Sequence, residues 1–137
     1  MIKILAIDHI VLRTTKLEKM LHFYIEILGC TLERDAAKSL GLTQLRAGSA
    51  LIDLVEVDSV LGKKGGGAPS QTENNLDHFC LKIAPLSQED LLKHLKSYYM
   101  DHTDFAIRYG AEGFGESLYI QDPEGNTIEL RNQKTLN

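Results

Sequence analysis

The sequence predicts an α+β fold built from two copies of one unit, each a strand, then a helix, then several strands. Three observations carry that expectation. Ile7-Asp8-His9-Ile10-Val11-Leu12-Arg13 returns as Leu76-Asp77-His78-Phe79-Cys80-Leu81-Lys82. Leu51-Ile52-Asp53-Leu54 returns as Thr127-Ile128-Glu129-Leu130. After each opening segment comes a run with apolar residues at helical spacing. The gap between matched landmarks widens from the first pair to the second, so the second copy carries a few extra residues.

Ile7 to Arg13 is rich in β-branched residues and reads as the first strand, with His9, Val11 and Arg13 on one face and Asp8, Ile10 and Leu12 on the other. Thr15-Lys16-Leu17-Glu18 has the form of a capping box opening a helix. Leu17, Leu21, Tyr24 and Leu28 follow at helical spacing, and Gly29 is placed to end that helix in a left-handed conformation. In the second copy Pro85 stops the strand and Ser87-Gln88-Glu89-Asp90 resembles another cap. Leu91, Leu92, Leu95 and Tyr98 then supply the apolar face. Near the C-terminus Ser117 to Gln121 and Thr127 to Arg131 flank Asp122-Pro123-Glu124-Gly125-Asn126, whose residue types predict a tight hairpin. Glu129 falls mid-strand, on the face opposite Ile128 and Leu130. A carboxylate there needs a partner.

Residues 1–61 therefore form the first copy, 62–75 a connector and 76–137 the second copy, all within one domain spanning 1–137. Gly62-Lys63-Lys64-Gly65-Gly66-Gly67-Ala68-Pro69-Ser70 is glycine-rich and polar, the composition of a mobile connector. It lacks the Gly-Lys-Ser or Gly-Lys-Thr ending of a phosphate-cradling loop. At 137 residues, 43% hydrophobic and 25% charged, the chain can bury a substantial core. Its net charge of −4 argues against nucleic acid as a partner. No apolar run approaches the length of a membrane span and no secretory leader is recognisable, so a cytoplasmic protein is expected. Cys30 and Cys80, outside any C-x-x-C motif, suit reduced thiols there.

His9 and His78 occupy equivalent places in the two opening strands, and Asp53 and Glu129 occupy equivalent places in the two late strands. A lone strand histidine is ordinarily a hydrogen-bonded core residue, but the paired placement points to metal ligation. Two imidazoles with one or two carboxylates and an open position suit a catalytic divalent metal, whereas a closed structural zinc site draws more on cysteine. His22, His94 and His102 have no such counterparts and read as surface or loop residues.

These pieces resemble the vicinal oxygen chelate superfamily, which includes glyoxalase I, methylmalonyl-CoA epimerase, extradiol dioxygenases, fosfomycin-resistance thiol transferases and bleomycin-resistance proteins. The matching residues are Ile7-Asp8-His9, Phe23-Tyr24-Ile25-Glu26-Ile27-Leu28-Gly29, Leu76-Asp77-His78 and Asp122 through Leu130. The resemblance implies two βαβββ modules whose sheets form a cup, with helices outside, around a divalent ion (Zn, Ni, Co, Mn or Fe) held at His9, His78 and Glu129. Asp53 matches the remaining ligand position, which in the isomerase branches is usually glutamate or glutamine. Being one methylene shorter, it binds directly, through water, or not at all. Glu56 has the opposite strand parity and should point away unless a bulge intervenes.

By the same resemblance Glu129 is the base of a glyoxalase I-like lyase or isomerase. It would remove a C–H proton from a small oxygen-rich or thiol-conjugated acid, with the metal stabilising an enediolate. Arg13 either contacts a substrate carboxylate or is a solvated strand-end charge. Arg108 and Tyr109 lie in Arg108-Tyr109-Gly110-Ala111-Glu112-Gly113-Phe114-Gly115, either a glycine-hinged loop over the cup that binds substrate or an exposed connection. Cys80 shares a strand face with His78 and either lines the cup or packs. Two other readings keep the fold: an Fe(II) dioxygenase on the same triad, and a non-catalytic protein that sequesters a small molecule. The site closes within one chain or across a homodimer.

Overall fold

The structure, a computed structural model, describes residues 1–36 and 40–133; the last four positions of the second copy lie outside the described residues. The chain divides into two compact units, Met1–Thr72 and Glu73–Asn137. The first contains β1 (His9–Thr14), α1 (Leu17–Leu21), a π-helical continuation (His22–Ile27), β2 (Thr31–Ala36), β3 (Leu42–Ala47) and β4 (Ala50–Glu56). The second contains β5 (His78–Ile83), α2 (Gln88–Ser97), β6 (Ala106–Gly110), β7 (Gly113–Gln121) and β8 (Thr127–Asn132). Their sheets run β1-β4-β3-β2 and β5-β8-β7-β6. The opening strand pairs in parallel with the last in each sheet, and the remaining pairs are antiparallel. This is the expected βαβββ unit, twice.

In the first unit Ile52 and Leu54 alternate with Asp53 along β4, and with Leu12, Leu45, Met20, Phe23 and Tyr24 they are buried. Each such side chain contributes about 1.5–3 kcal/mol when fully withdrawn from water. Helix α1 lies against β4. Its start differs from the expected capping box: Lys16 occupies the N-cap without a side-chain cap bond, and Thr14 Oγ1 accepts from the Lys16 N–H at 2.8 Å. The buried stripe is Met20, Phe23, Tyr24 and Ile27, while Leu17, Leu21 and Leu28 are half-buried. The segment carries two adjoining apolar stripes, and the aromatic one, with more area to bury, faces inward. The turn widens to π geometry, with the Leu28 N–H reaching the Phe23 carbonyl, and Gly29 at φ +82° ends it as expected.

The connector holds more structure than its composition suggests. Gly62–Gly65 forms a 3-10 turn, and the Arg13 guanidinium donates to the carbonyls of Gly62, Gly67 and Gly66 at 3.2, 2.9 and 2.7 Å. A Cβ on Gly65 would overlap that guanidinium, so the glycine gives Arg13 its room.

In the second unit Ser87 caps α2, its hydroxyl accepting from the Asp90 N–H at 3.1 Å, and Leu91 and Leu95 are the buried residues of the helix. The hairpin before β8 is built on Asp122. One carboxylate oxygen accepts from the N–H groups of Glu124 and Asn126, both at 2.9 Å, and the other from the Asn126 amide at 2.8 Å. Gly125 takes φ +85°. Arg108 to Gly115 is not a hinged loop but the β6–β7 hairpin, with Arg108 opposite Gly115 and Tyr109 opposite Phe114. Two glycines at its turn and the β-forming residues on either side favour pairing over an open loop. No helix among the described residues is long and apolar enough to cross a membrane.

Replacing Arg13 with alanine removes three charge-assisted bonds, worth about 1–3 kcal/mol in total after solvent screening. Limited trypsin digestion should then cut after Lys63 and Lys64 several-fold faster than in the parent chain. Equal rates would show that the guanidinium does not hold this turn.

Candidate metal-binding residues

In the first unit the parallel register sets His9 beside Leu51 and Val11 beside Asp53, while Gln44 on β3 stands opposite Asp53. Paired residues share a sheet face, so His9, Asp53 and Gln44 lie on one side. Asp53 is only 3% exposed. Its Oδ2 accepts from the Gln44 amide at 3.1 Å, and its Oδ1 is buried with no hydrogen-bond partner among the described residues. An unpaired buried oxygen costs about 1–3 kcal/mol, and buried carboxylates are ordinarily paired or coordinate a cation. His9 Nδ1 lies 2.6 Å from the Asp8 carboxylate. That hydrogen bond raises the His9 pKa, opposed by desolvation and aided by the negative charge of Asp53. Glu56 is exposed at the end of an unbulged β4, as its parity requires.

The second unit repeats the arrangement with richer chemistry. Cys80 pairs with Glu129, His78 with Thr127, and Tyr119 on β7 stands opposite Glu129. Glu129 is 6% exposed. Its Oε1 is 3.6 Å from His78 Nε2, beyond a good hydrogen bond, and its Oε2 accepts from the Cys80 thiol at 3.3 Å. Burial first, then the neighbouring Glu129 carboxylate, raises the Tyr119 pKa. The Tyr119 ring meets His78 edge-on, with centroids 5.2 Å apart, and lies under the Arg108 guanidinium at 4.4 Å. His78 Nδ1 is 2.6 Å from the Asp77 carboxylate. A cavity of about 260 Å³ is lined by His78, Cys80, Lys82, Glu129 and Arg131, with the β6–β7 turn as its wall.

The other candidates fall as follows. Arg13 is committed to the glycine turn described above. Arg108 donates to the carbonyl and hydroxyl of Ser117, at 2.6 and 3.1 Å, besides covering Tyr119. Tyr109 is exposed, its ring edge-on to Phe114 on the paired strand. Asp8, Asp77, Gln44 and Tyr119 are contacts that reading the sequence did not foresee. Counting outward from the Asp122 hairpin places Tyr119 opposite Glu129, so the signal for that pair was present.

Among the described residues no group of three or more His, Cys, Asp or Glu side chains forms a metal-binding cluster. The candidate ligands come as two pairs, one per unit. The donor set of neutral imidazole and carboxylate, with an unpaired buried oxygen at Asp53, fits a divalent cation.

Desolvation, and next the hydrogen bond to the Glu129 carboxylate, push the thiol of Cys80, an otherwise exposed residue, up to about 12. Cys80 should therefore stay protonated at neutral pH and react with iodoacetamide at least about a hundredfold more slowly than in the unfolded chain. Mass spectrometry of the alkylated peptide measures this, and labelling at the unfolded rate would exclude the contact.

Comparison with known proteins agrees with the geometry. An integron cassette protein from Vibrio cholerae superposes with a TM-score of 0.73 at 25% identity, covering 98% of this chain and 99% of its own. A virulence protein from Salmonella typhimurium gives 0.72 at 23% identity, over 97% and 100% of the two chains. A lactoylglutathione lyase from Agrobacterium tumefaciens gives 0.65 at 18%, over 93% and 92%. The model of the Glyoxalase/Bleomycin resistance protein/Dioxygenase superfamily matches residues 6–130. The chain is a member of that superfamily.

Proposed function

We propose that this chain is a divalent-metal lyase or isomerase acting on a small oxygen-rich acid or its thiol conjugate, with His9, Asp53, His78 and Glu129 as the metal ligands. The observation that carries the reading is the Asp53 Oδ1, withdrawn from water with no donor to satisfy it, on the same sheet face as His9. The matching pair His78 and Glu129 supports it, as does the superposition on a lactoylglutathione lyase. The bound ion would supply Lewis-acid polarisation of a substrate oxygen.

The chain's own groups divide the remaining work. Glu129 takes a proton from the carbon beside the carbonyl and returns it to the carbonyl carbon while the hydroxyl proton passes from one oxygen to the other, so the reaction is a redox-neutral isomerisation that consumes no dioxygen. Cys80 donates a hydrogen bond to that carboxylate and Tyr119 stands opposite it on β7, together fixing its orientation. Lys82 is paired with Glu112 at 3.3 Å, so Arg131, whose Nη1 is buried without a hydrogen-bond partner among the described residues, is the group lining the adjoining cavity that favours an acidic substrate group. Arg108 fixes Tyr119 from above, and its link to substrate runs through that ring. The protein works in the cytoplasm as a homodimer with both thiols reduced.

Two measurements test this reading. Titration with Zn²⁺, Ni²⁺, Co²⁺ or Mn²⁺ should raise the melting temperature of the parent chain, by about 2.7 kcal/mol of stabilisation at a hundredfold excess over the dissociation constant. Asp53→Asn should melt no lower than the parent without metal, because a buried charge is removed, and should lose most of the metal-induced rise. If Asp53→Asn keeps the full rise, Asp53 is no ligand. For catalysis, Glu129→Gln should lower turnover of a hemithioacetal by about 10²–10⁴-fold in anaerobic buffer. Unchanged turnover with intact metal content would remove Glu129 as the base.

A further inference from the structure

Each candidate histidine is preceded by an aspartate, and the two pairs have the same geometry. His9 Nδ1 lies 2.6 Å from Asp8 Oδ1, and His78 Nδ1 lies 2.6 Å from Asp77 Oδ2. Both aspartates are almost fully exposed, at 91% and 96%, while the imidazoles are partly shielded, at 47% and 35%. Neither carboxylate has a fold-building role that burial would indicate. Each aspartate stands just before its strand, which begins at His9 or His78, and so lies outside the alternation that sends neighbouring strand side chains to opposite faces. That the same unusual contact forms in two units of divergent sequence argues that it follows from the shared Asp-His dipeptide and its strand position.

An ionised carboxylate can only accept, so the contact at Nδ1 requires a proton on that nitrogen. In a neutral imidazole this leaves the lone pair on Nε2. At His78 that nitrogen faces Glu129 Oε1 at 3.6 Å. Two acceptors therefore flank one neutral ring, Asp77 on one side and Glu129 on the other, and a single ring proton satisfies only one of them. A cation beside Nε2 resolves the conflict.

We infer that Asp8 and Asp77 are positioning residues that select the Nδ1–H tautomer of His9 and His78 and so present Nε2 as the ligating atom in both units. The inference rests on the divalent-metal reading for its purpose, but the tautomer it assigns exists without metal. A carboxylate on the far nitrogen also makes a ligating imidazole a better electron donor, and loss of such outer partners weakens metal binding by about 10–100-fold in well-ordered sites. Here both carboxylates are exposed, so the low end of that range applies.

The test uses the full chain, labelled with ¹⁵N-histidine, metal-free and at a pH where both rings are neutral. Ring-nitrogen chemical shifts should show Nδ1 protonated and Nε2 bare at His9 and His78, with His22, His94 and His102 as internal references. Asp8→Ala and Asp77→Ala should each return their own histidine to the Nε2–H form and leave the other unchanged. Asn at either position retains an acceptor oxygen and should preserve the tautomer. Circular dichroism should be unchanged in all four variants, since the aspartates are exposed. Titration with Co²⁺, followed by its visible absorption, should then give roughly tenfold weaker binding for each alanine variant and a smaller loss for each asparagine variant. Nε2 protonation of both histidines in the parent chain would overturn the inference. So would Co²⁺ affinity unaltered in every variant despite measurable binding. If the tautomers are as assigned and Co²⁺ does not bind the parent chain, the positioning of Nε2 stands and the metal reading fails.

Discussion

The candidate chemistry depends on one constraint, the parallel registration of the first strand of each unit on its last. Pairing Val11 with Asp53 and Cys80 with Glu129 places each carboxylate on the same sheet face as the histidine two residues earlier on the neighbouring strand. A slip of one residue would exchange the faces, driving Asp53 and Glu129 toward the helix side and turning Ile52, Leu54, Ile128 and Leu130 outward. Those four are at most 3% exposed. Withdrawing them costs several kcal/mol in each sheet at about 1.5–3 kcal/mol per side chain. Apolar burial on one face thus holds the register that the polar residues on the other require.

The two sheets then treat their buried carboxylates differently. Asp53 receives one bond, from Gln44, and keeps one oxygen unpaired. Glu129 receives a bond from Cys80, lies opposite Tyr119 and faces His78. Next to Glu129, Arg131 is buried as well, at 6% exposed, and its guanidinium donates to the carbonyls of Arg108 and Gly113 across the β6–β7 hairpin. A Cβ at Gly110 or Gly115 would run into it. In the first unit the position equivalent to Arg131 is Val55, and the hairpin-bracing role has no counterpart; there the arginine on the opening strand, Arg13, ties down the glycine turn instead.

Much of this was legible in the chain. The duplicated dipeptides Asp8-His9 and Asp77-His78 and the matched carboxylates predict the βαβββ repeat and its pairing, because strand parity and a single hairpin at Asp122 leave few registers open. The β6–β7 region was misread because Gly110, Gly113 and Gly115 carry the composition of a loop. Their small size serves the close approach of Arg131, a tertiary fact with no local signature. The helix start is shifted by one residue from the expected box: Thr14 is fully buried, its hydroxyl takes the Lys16 N–H, and Lys16 stands at the N-cap. The Leu-based stripe lost to the aromatic one because spacing alone does not rank two apolar faces. Arg13 kept two readings in the sequence, and the structure commits it to backbone carbonyls.

The divergence of the two copies also bears on which carboxylate does the chemistry. A base must hold a fixed position while gaining and losing a proton, and groups that donate to it from neutral side chains restrain it in both states at lower cost than an ion pair. Glu129 has the Cys80 thiol on β5 as such a donor and Tyr119 standing opposite it on β7, on strands that flank β8 on both sides. Asp53 has a single amide, from β3, while its neighbour on β1 is Val11, which offers nothing. Asp53 is also shorter, so its reach from the sheet is less. Duplication supplies two equivalent carboxylate positions, and replacement of Val11 and Gln44 by Cys80 and Tyr119 in the second copy makes the two unequal. On the proposed reading, that inequality favours Glu129 over Asp53 for proton transfer and keeps Asp53, with its unpaired oxygen, as a ligand.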